Sequence, residues 1–231
     1  WLAREGFNNG YWRNWVQIFD RARLLQMAKI NSDIMIRSIL LEIGFVSFLF
    51  LGSSFDDATL AANQVLIQFL HITAYALDGF AFAAEALVGQ ALGAKNRPLF
   101  RRAVIMTSQW GLGSVILMAL AFFVFGNSII NVMTTAEDVR AVSYEYLPWM
   151  VLGPLAGVAA WMLDGVFIGA TRTADMRNMM FISFCIYLIA LAILLPSYGN
   201  HGLWASLIIF SIARGVTLGF KYPALEKSLE Y

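Results

Sequence analysis

The chain has 231 residues, of which 59% are hydrophobic and only 13% charged, where soluble domains carry roughly 25% charged residues. So apolar a chain cannot cover its surface with polar groups, which excludes a soluble globular protein and makes lipid its natural solvent. The net charge of +1 gives no field for nucleic acid, and the single cysteine, Cys185, excludes a disulfide within the chain.

Residues 1–31 carry Trp1, Tyr11, Trp12, Trp15 and Phe19 among Arg4, Arg13, Arg21 and Arg23. Trp12, Trp15, Val16 and Phe19 share one helical face, which reads as an interfacial helix on the cytoplasmic surface; the alternative is a plain linker. No signal-peptide pattern is present, and a start at Trp1 makes the chain look like a portion of something longer. Six apolar segments follow, over 32–51, 59–92, 103–125, 141–170, 178–196 and 202–220, each long enough to cross a bilayer at about 20 residues per span. The first contains Arg37 and Glu42, with Asp33 placed four residues before Arg37 to pair with it. In the second, Gln64, Gln68, His71, Tyr75, Asp78 and Glu85 follow at steps of 4, 3, 4, 3 and 7. Those steps keep them on about a third of the helix circumference over ~31 Å, roughly the hydrocarbon thickness. The fourth carries Asp164 near its end, Pro148 and Pro154 inside, and the pairs Gly153/Gly157 and Gly165/Gly169. These suit close helix approach or a bend. The sixth carries Arg214, close enough to the inner face to snorkel.

Loop charges support six crossings. Basic residues (Arg13, Arg21, Arg23, Lys29; Lys95, Arg97, Arg101, Arg102; Arg172, Arg177; Lys221, Lys227) fall on alternate sides of every span. The positive-inside rule then places both ends in the cytoplasm. The organisation expected is a cytoplasmic segment over 1–31, an all-α six-helix membrane bundle over 32–222 and a tail over 223–231.

Ionisable groups at membrane depth need partners or water. Arg37 is expected to pair with Glu85 or Asp164, leaving Glu42 and Asp78 less compensated. A carboxyl group in an apolar site holds a proton and releases it on hydration; paired carboxylates with carbonyls could instead hold Na⁺. Gln68 or His71 taken singly is better explained by bonds to neighbouring helices. No zinc, P-loop or nucleophile-elbow motif occurs, so no enzyme and no cofactor are expected.

Two stretches carry a family resemblance: Ala74-Tyr75-Ala76-Leu77-Asp78-Gly79-Phe80 running on to Glu85 and Gly89–Asn96, and Leu163-Asp164-Gly165-Val166-Phe167-Ile168-Gly169-Ala170-Thr171-Arg172 running on to Asp175–Asn178. They resemble the multidrug and toxic compound extrusion (MATE) family, more narrowly its DNA-damage-inducible F (DinF-type) branch, over residues 24–220. The resemblance implies a twelve-helix transporter of two six-helix lobes, with this chain as the second lobe and residues 1–31 as the connection between them. It implies a bacterial inner membrane, H⁺- or Na⁺-driven efflux of small cationic or amphipathic compounds, and an N-terminal lobe as partner. Some relatives hold a cation on carboxylates of this lobe's first and fourth helices, to which Glu42 and Asp164 could answer. The branch's proton-coupling Asp lies on the other lobe. A flippase for lipid-linked precursors would favour a more basic cavity, and a non-transporting membrane subunit would tolerate loss of the acids.

Overall fold

The computed structural model describes residues 19–228. The interfacial face built on Trp12, Trp15 and Val16 lies outside the described residues. Among those described, the chain forms helices and connecting turns: α1 (Arg21–Gly52), α2 (Asp57–Gly93), α3 (Arg97–Met133), α4 (Glu137–Gly169) and α5 (Thr173–Lys227). All five are long and apolar enough to cross a membrane. α1 begins ahead of the span expected from residue 32, because Asp20 caps it by accepting from the Ala22 amide at 2.9 Å. Asp56 caps α2 through the Thr59 amide at 3.2 Å, and Asn96 caps α3 through the Leu99 amide at 2.9 Å, with Pro98 in the first turn where its missing N–H costs nothing.

The segments expected at 178–196 and 202–220 both fall within α5, which is not straight. Gly199 has φ 53° and ψ −130°, a conformation open to glycine. The Ser183 and Thr217 hydroxyls lie 3.0 Å apart, whereas 34 residues of straight helix would separate them by about 51 Å. The chain therefore folds back at Gly199 into two arms.

Helix α4 packs against α2, α3 and α5, and α1 packs chiefly on α5. At the α2–α4 crossing a Cβ on Gly165 would stand 2.3 Å from the Ala81 carbonyl oxygen, and one on Gly169 2.4 Å from that of Glu85. Only glycine lets the two backbones approach so closely. The other candidate pair does not do this: Gly157 faces Trp161 of its own helix and Gly153 meets Leu70. α4 runs unbroken through Pro148 and Pro154.

The main apolar core gathers Phe48, Phe69, Met150, Tyr187, Trp204 and Phe210, and a smaller one packs Val88, Phe100, Phe167 and Leu218 near the basic end. A buried amide pair fastens α2 to the second arm of α5. Asn63 donates to Asn200 at 2.8 Å, Asn200 donates back at 3.1 Å, and the Trp204 indole donates to Asn63 Oδ1 at 2.9 Å.

Candidate functional site

Asp164 precedes Gly165, so the tight crossing also fixes where its carboxylate stands. Two guanidinium groups meet it. Arg37 of α1 donates to Asp164 Oδ2, and Arg214 of the second arm of α5 donates to the same oxygen at 2.8 Å. All three side chains are buried: 13% of Arg37, 8% of Asp164 and 5% of Arg214 remains exposed. Arg37 thus takes Asp164 rather than Glu85. Arg214 does not snorkel as expected; its head turns inward to the acid, above the Phe210 ring at 5.8 Å.

One carboxylate oxygen cannot satisfy two guanidinium groups. Among the described residues, Asp164 Oδ1, Arg37 Nε and Arg214 Nε have no hydrogen-bond partner. Buried orphans of this kind cost free energy and are uncommon in a purely structural cluster. The same three residues line a cavity of about 330 Å³ with His71, Asp78 and Glu85, and Phe45 and Trp161 supply aromatic wall.

The stripe of α2 divides at this cavity. His71, Asp78 and Glu85 line it. Gln64, Gln68 and Tyr75 are exposed and lie outside it. His71 meets Phe45 edge-on at 5.8 Å. Neither Asp78 nor Glu85 forms a hydrogen bond or ion pair among the described residues, although Arg37 is near enough to Asp78 to act on it electrostatically. Glu42 is exposed and does not line the cavity. The structure therefore does not join Glu42 to Asp164 there as a sodium pair, and Asp164 already faces two positive charges.

Two ionic clusters mark the basic end. Asp33 does not pair with Arg37, one turn away on its own helix. It is buried at 3% exposure and binds Arg177 and the Thr173 hydroxyl, which donates at 3.2 Å. Arg97 Nε lies 3.0 Å from Glu226, and Arg101 binds the same carboxylate oxygen. The Arg101 and Arg97 hydrogen bonds hold the Glu226 carboxyl below its ordinary pKa. Arg214 and Glu226 are the residues whose parts sequence reasoning missed. Arg214 lies 50 residues from its partner, and the one available signal was that an intramembrane arginine requires an acid.

The MatE family model matches residues 34–194. The DNA damage-inducible protein F of Escherichia coli is 38% identical over 202 residues, covering 86% of this chain and 43% of that protein. The probable multidrug resistance protein NorM of Halalkalibacterium halodurans is 23% identical over 193 residues, covering 80% of this chain and 41% of that one. The crystal structure of the Vibrio cholerae MATE transporter VcmN in the bent form superposes with a TM-score of 0.81 at 21% identity, over 94% of this chain and 50% of that one. The chain thus spans about half the length of the relatives it matches.

Proposed function

This chain belongs to the MatE family, whose members are transporters rather than enzymes, and from that premise we propose that it forms the second lobe of a multidrug efflux transporter. Each arm of α5 is one span, so that the lobe has six, over residues 32–222. Residues 1–31 connect it to an N-terminal six-helix lobe, and 223–231 form a tail. The basic end faces the cytoplasm and the bundle sits in a bacterial inner membrane. The exposed Gln64, Gln68 and Tyr75 then face the partner lobe across a shared substrate path, which accounts for a polar strip that lipid would not tolerate.

The observation that carries the reading is the pair of acids, Asp78 and Glu85, that form no hydrogen bond or ion pair among the described residues, in a cavity walled by Phe45 and Trp161. Lining acids (Asp78, Glu85, Asp164) outnumber lining arginines (Arg37, Arg214), which suits a small organic cation better than an anionic lipid headgroup. Aromatic faces add cation–π attraction. Arg37 and Arg214 occupy Asp164, so the proton or cation that couples transport exchanges at Asp78 or Glu85 rather than at Asp164. A coupling ion bound there competes with substrate for the same charge, and that competition is what antiport requires.

The test is efflux of a fluorescent organic cation from proteoliposomes holding the full-length transporter, under an imposed H⁺ or Na⁺ gradient. Asp78→Asn and Glu85→Gln are expected to abolish gradient-driven efflux while the protein still inserts. Wild-type rates in both variants, or transport indifferent to either gradient, would sink the reading.

A further inference from the structure

An exposed, apolar side of α3 holds a second concavity that shares no lining residue with the charged cavity. Two adjoining hollows of about 520 and 260 Å³ share Ser108, Leu112 and Leu163. The larger runs past Ile105 to Gly219 and Tyr222 at the basic end, and the smaller reaches Val158 and Met162 of α4. Its wall is almost wholly apolar, with Ser108, Gln109 and the Tyr222 hydroxyl as polar points. Around it α3 exposes Ile105, Leu112, Ile116, Leu117 and Leu120, the surface expected of a helix against acyl chains. From Val104 to Leu112 the groove follows α3 for about 12 Å, most of one leaflet of a ~30 Å hydrocarbon core.

What stands at its mouth decides the occupant. Arg101 and Arg102 lie four and three residues before Ile105, on the same side of α3. Arg101 binds Glu226, yet 59% of its side chain is exposed. Arg102 is exposed and forms no ion pair among the described residues. Arg101 and Arg102 together face one glutamate, Glu226, so the mouth carries positive charge at the headgroup level. Basic pockets between membrane helices on that side suit anionic headgroups.

We propose that this groove is a binding site for an anionic phospholipid, with an acyl chain along Ile105, Leu112 and Leu163 and its phosphodiester at Arg101 and Arg102. Gly219 makes room for the chain: a Cβ placed there meets nothing within 4 Å. A leucine at 219 would extend its side chain from that open position toward the groove, and leucine is a better helix former than glycine.

Native mass spectrometry of the full-length transporter tests this, with phosphatidylglycerol compared against phosphatidylcholine of identical chains. Retention of phosphatidylglycerol is expected to exceed that of phosphatidylcholine. Gly219→Leu should lose the retained lipid while its unfolding temperature in lipid-free detergent stays at or above wild type. Arg102→Gln should lower phosphatidylglycerol retention roughly fivefold and leave phosphatidylcholine unchanged. Equal retention of the two lipids by wild type, or unaltered retention in Gly219→Leu, overturns the proposal. So does a dimer in the spectra that Gly219→Leu dissociates, which would assign the groove to a second copy of the chain.

Discussion

Among the described residues the same ionic arrangement, an acid gripped by two arginines, occurs twice, in two different solvents. In Arg37–Asp164–Arg214 at most 13% of any of the three side chains is exposed. In Arg97–Glu226–Arg101 the acid is covered but 37% and 59% of the arginine side chains face outward. Each sets one acid between two arginines. What differs is whether water can reach the charges. At the basic end it can, and the cluster acts as a clasp between α3 and the end of α5. In the interior two guanidinium groups share one carboxylate, and the acid that acts on the cluster from across the cavity is Asp78, which Arg37 is near enough to influence electrostatically. The buried cluster is thus bound electrostatically to the proposed transport site, while the exposed one is not.

The largest effect that separates the two is expected at Asp164. Asp164→Asn leaves two buried guanidinium groups facing each other without an anion, and breaking a buried ion pair by removing one partner costs about 3–5 kcal/mol. A thermal or denaturant midpoint in detergent should fall accordingly, or the variant should fail to accumulate in the membrane. Replacing the whole cluster (Arg37→Met, Asp164→Leu, Arg214→Met) should restore most of that loss, because apolar groups of similar volume often serve a buried site as well. If the triple variant is no more stable than Asp164→Asn, the cluster's role is not the cancellation of buried charge.

The neutral amide cluster offers a middle case. Asn63, Asn200 and Trp204 are as buried as the arginine triad, at 0%, 5% and 1% exposure, but their mutual hydrogen bonds leave no orphan and they border no charged cavity. Asn63→Ala should cost about 1–3 kcal/mol through the stranded Asn200 and Trp204 donors. Gradient coupling in the protein that survives should be unchanged. Coupling lost at normal expression would mean that neutral and charged clusters are not functionally distinct.

How much of this was legible in the sequence follows from range. The helices were, because hydropathy is local. So was the stripe on α2, since the spacing of His71, Asp78 and Glu85 places them on one face whatever surrounds them. Partners were not. Asp33 has Arg37 one turn away in sequence, yet it pairs with Arg177, 144 residues on, because α1 packs on α5 and presents that face to it. Likewise Gly153/Gly157 and Gly165/Gly169 have the same spacing, and only the second meets a neighbouring backbone. Spacing fixes which residues share a face; the fold decides what that face meets.

The smallest effect concerns the exposed clasp, and pH isolates it. Glu226 is held below its ordinary pKa by Arg101 and Arg97, so the folded state binds its proton more weakly than the unfolded chain does. Its contribution to stability is therefore complete above the ordinary glutamate value of about 4.3. It is lost as pH falls through the lowered folded value. Other carboxylates titrate in the same range, so the quantity to follow is the gap in unfolding temperature between wild type and Glu226→Gln. That gap should be small at neutral pH, as exposed ion pairs are worth little, and should close as the medium becomes acidic. It should also shrink in 1 M salt, where screening acts over about 3 Å, whereas the Asp164→Asn deficit should persist because salt does not reach it. A gap at Glu226 that resists both acid and salt would mean that the outer clasp is as dry as the inner one, and the contrast between them would fail.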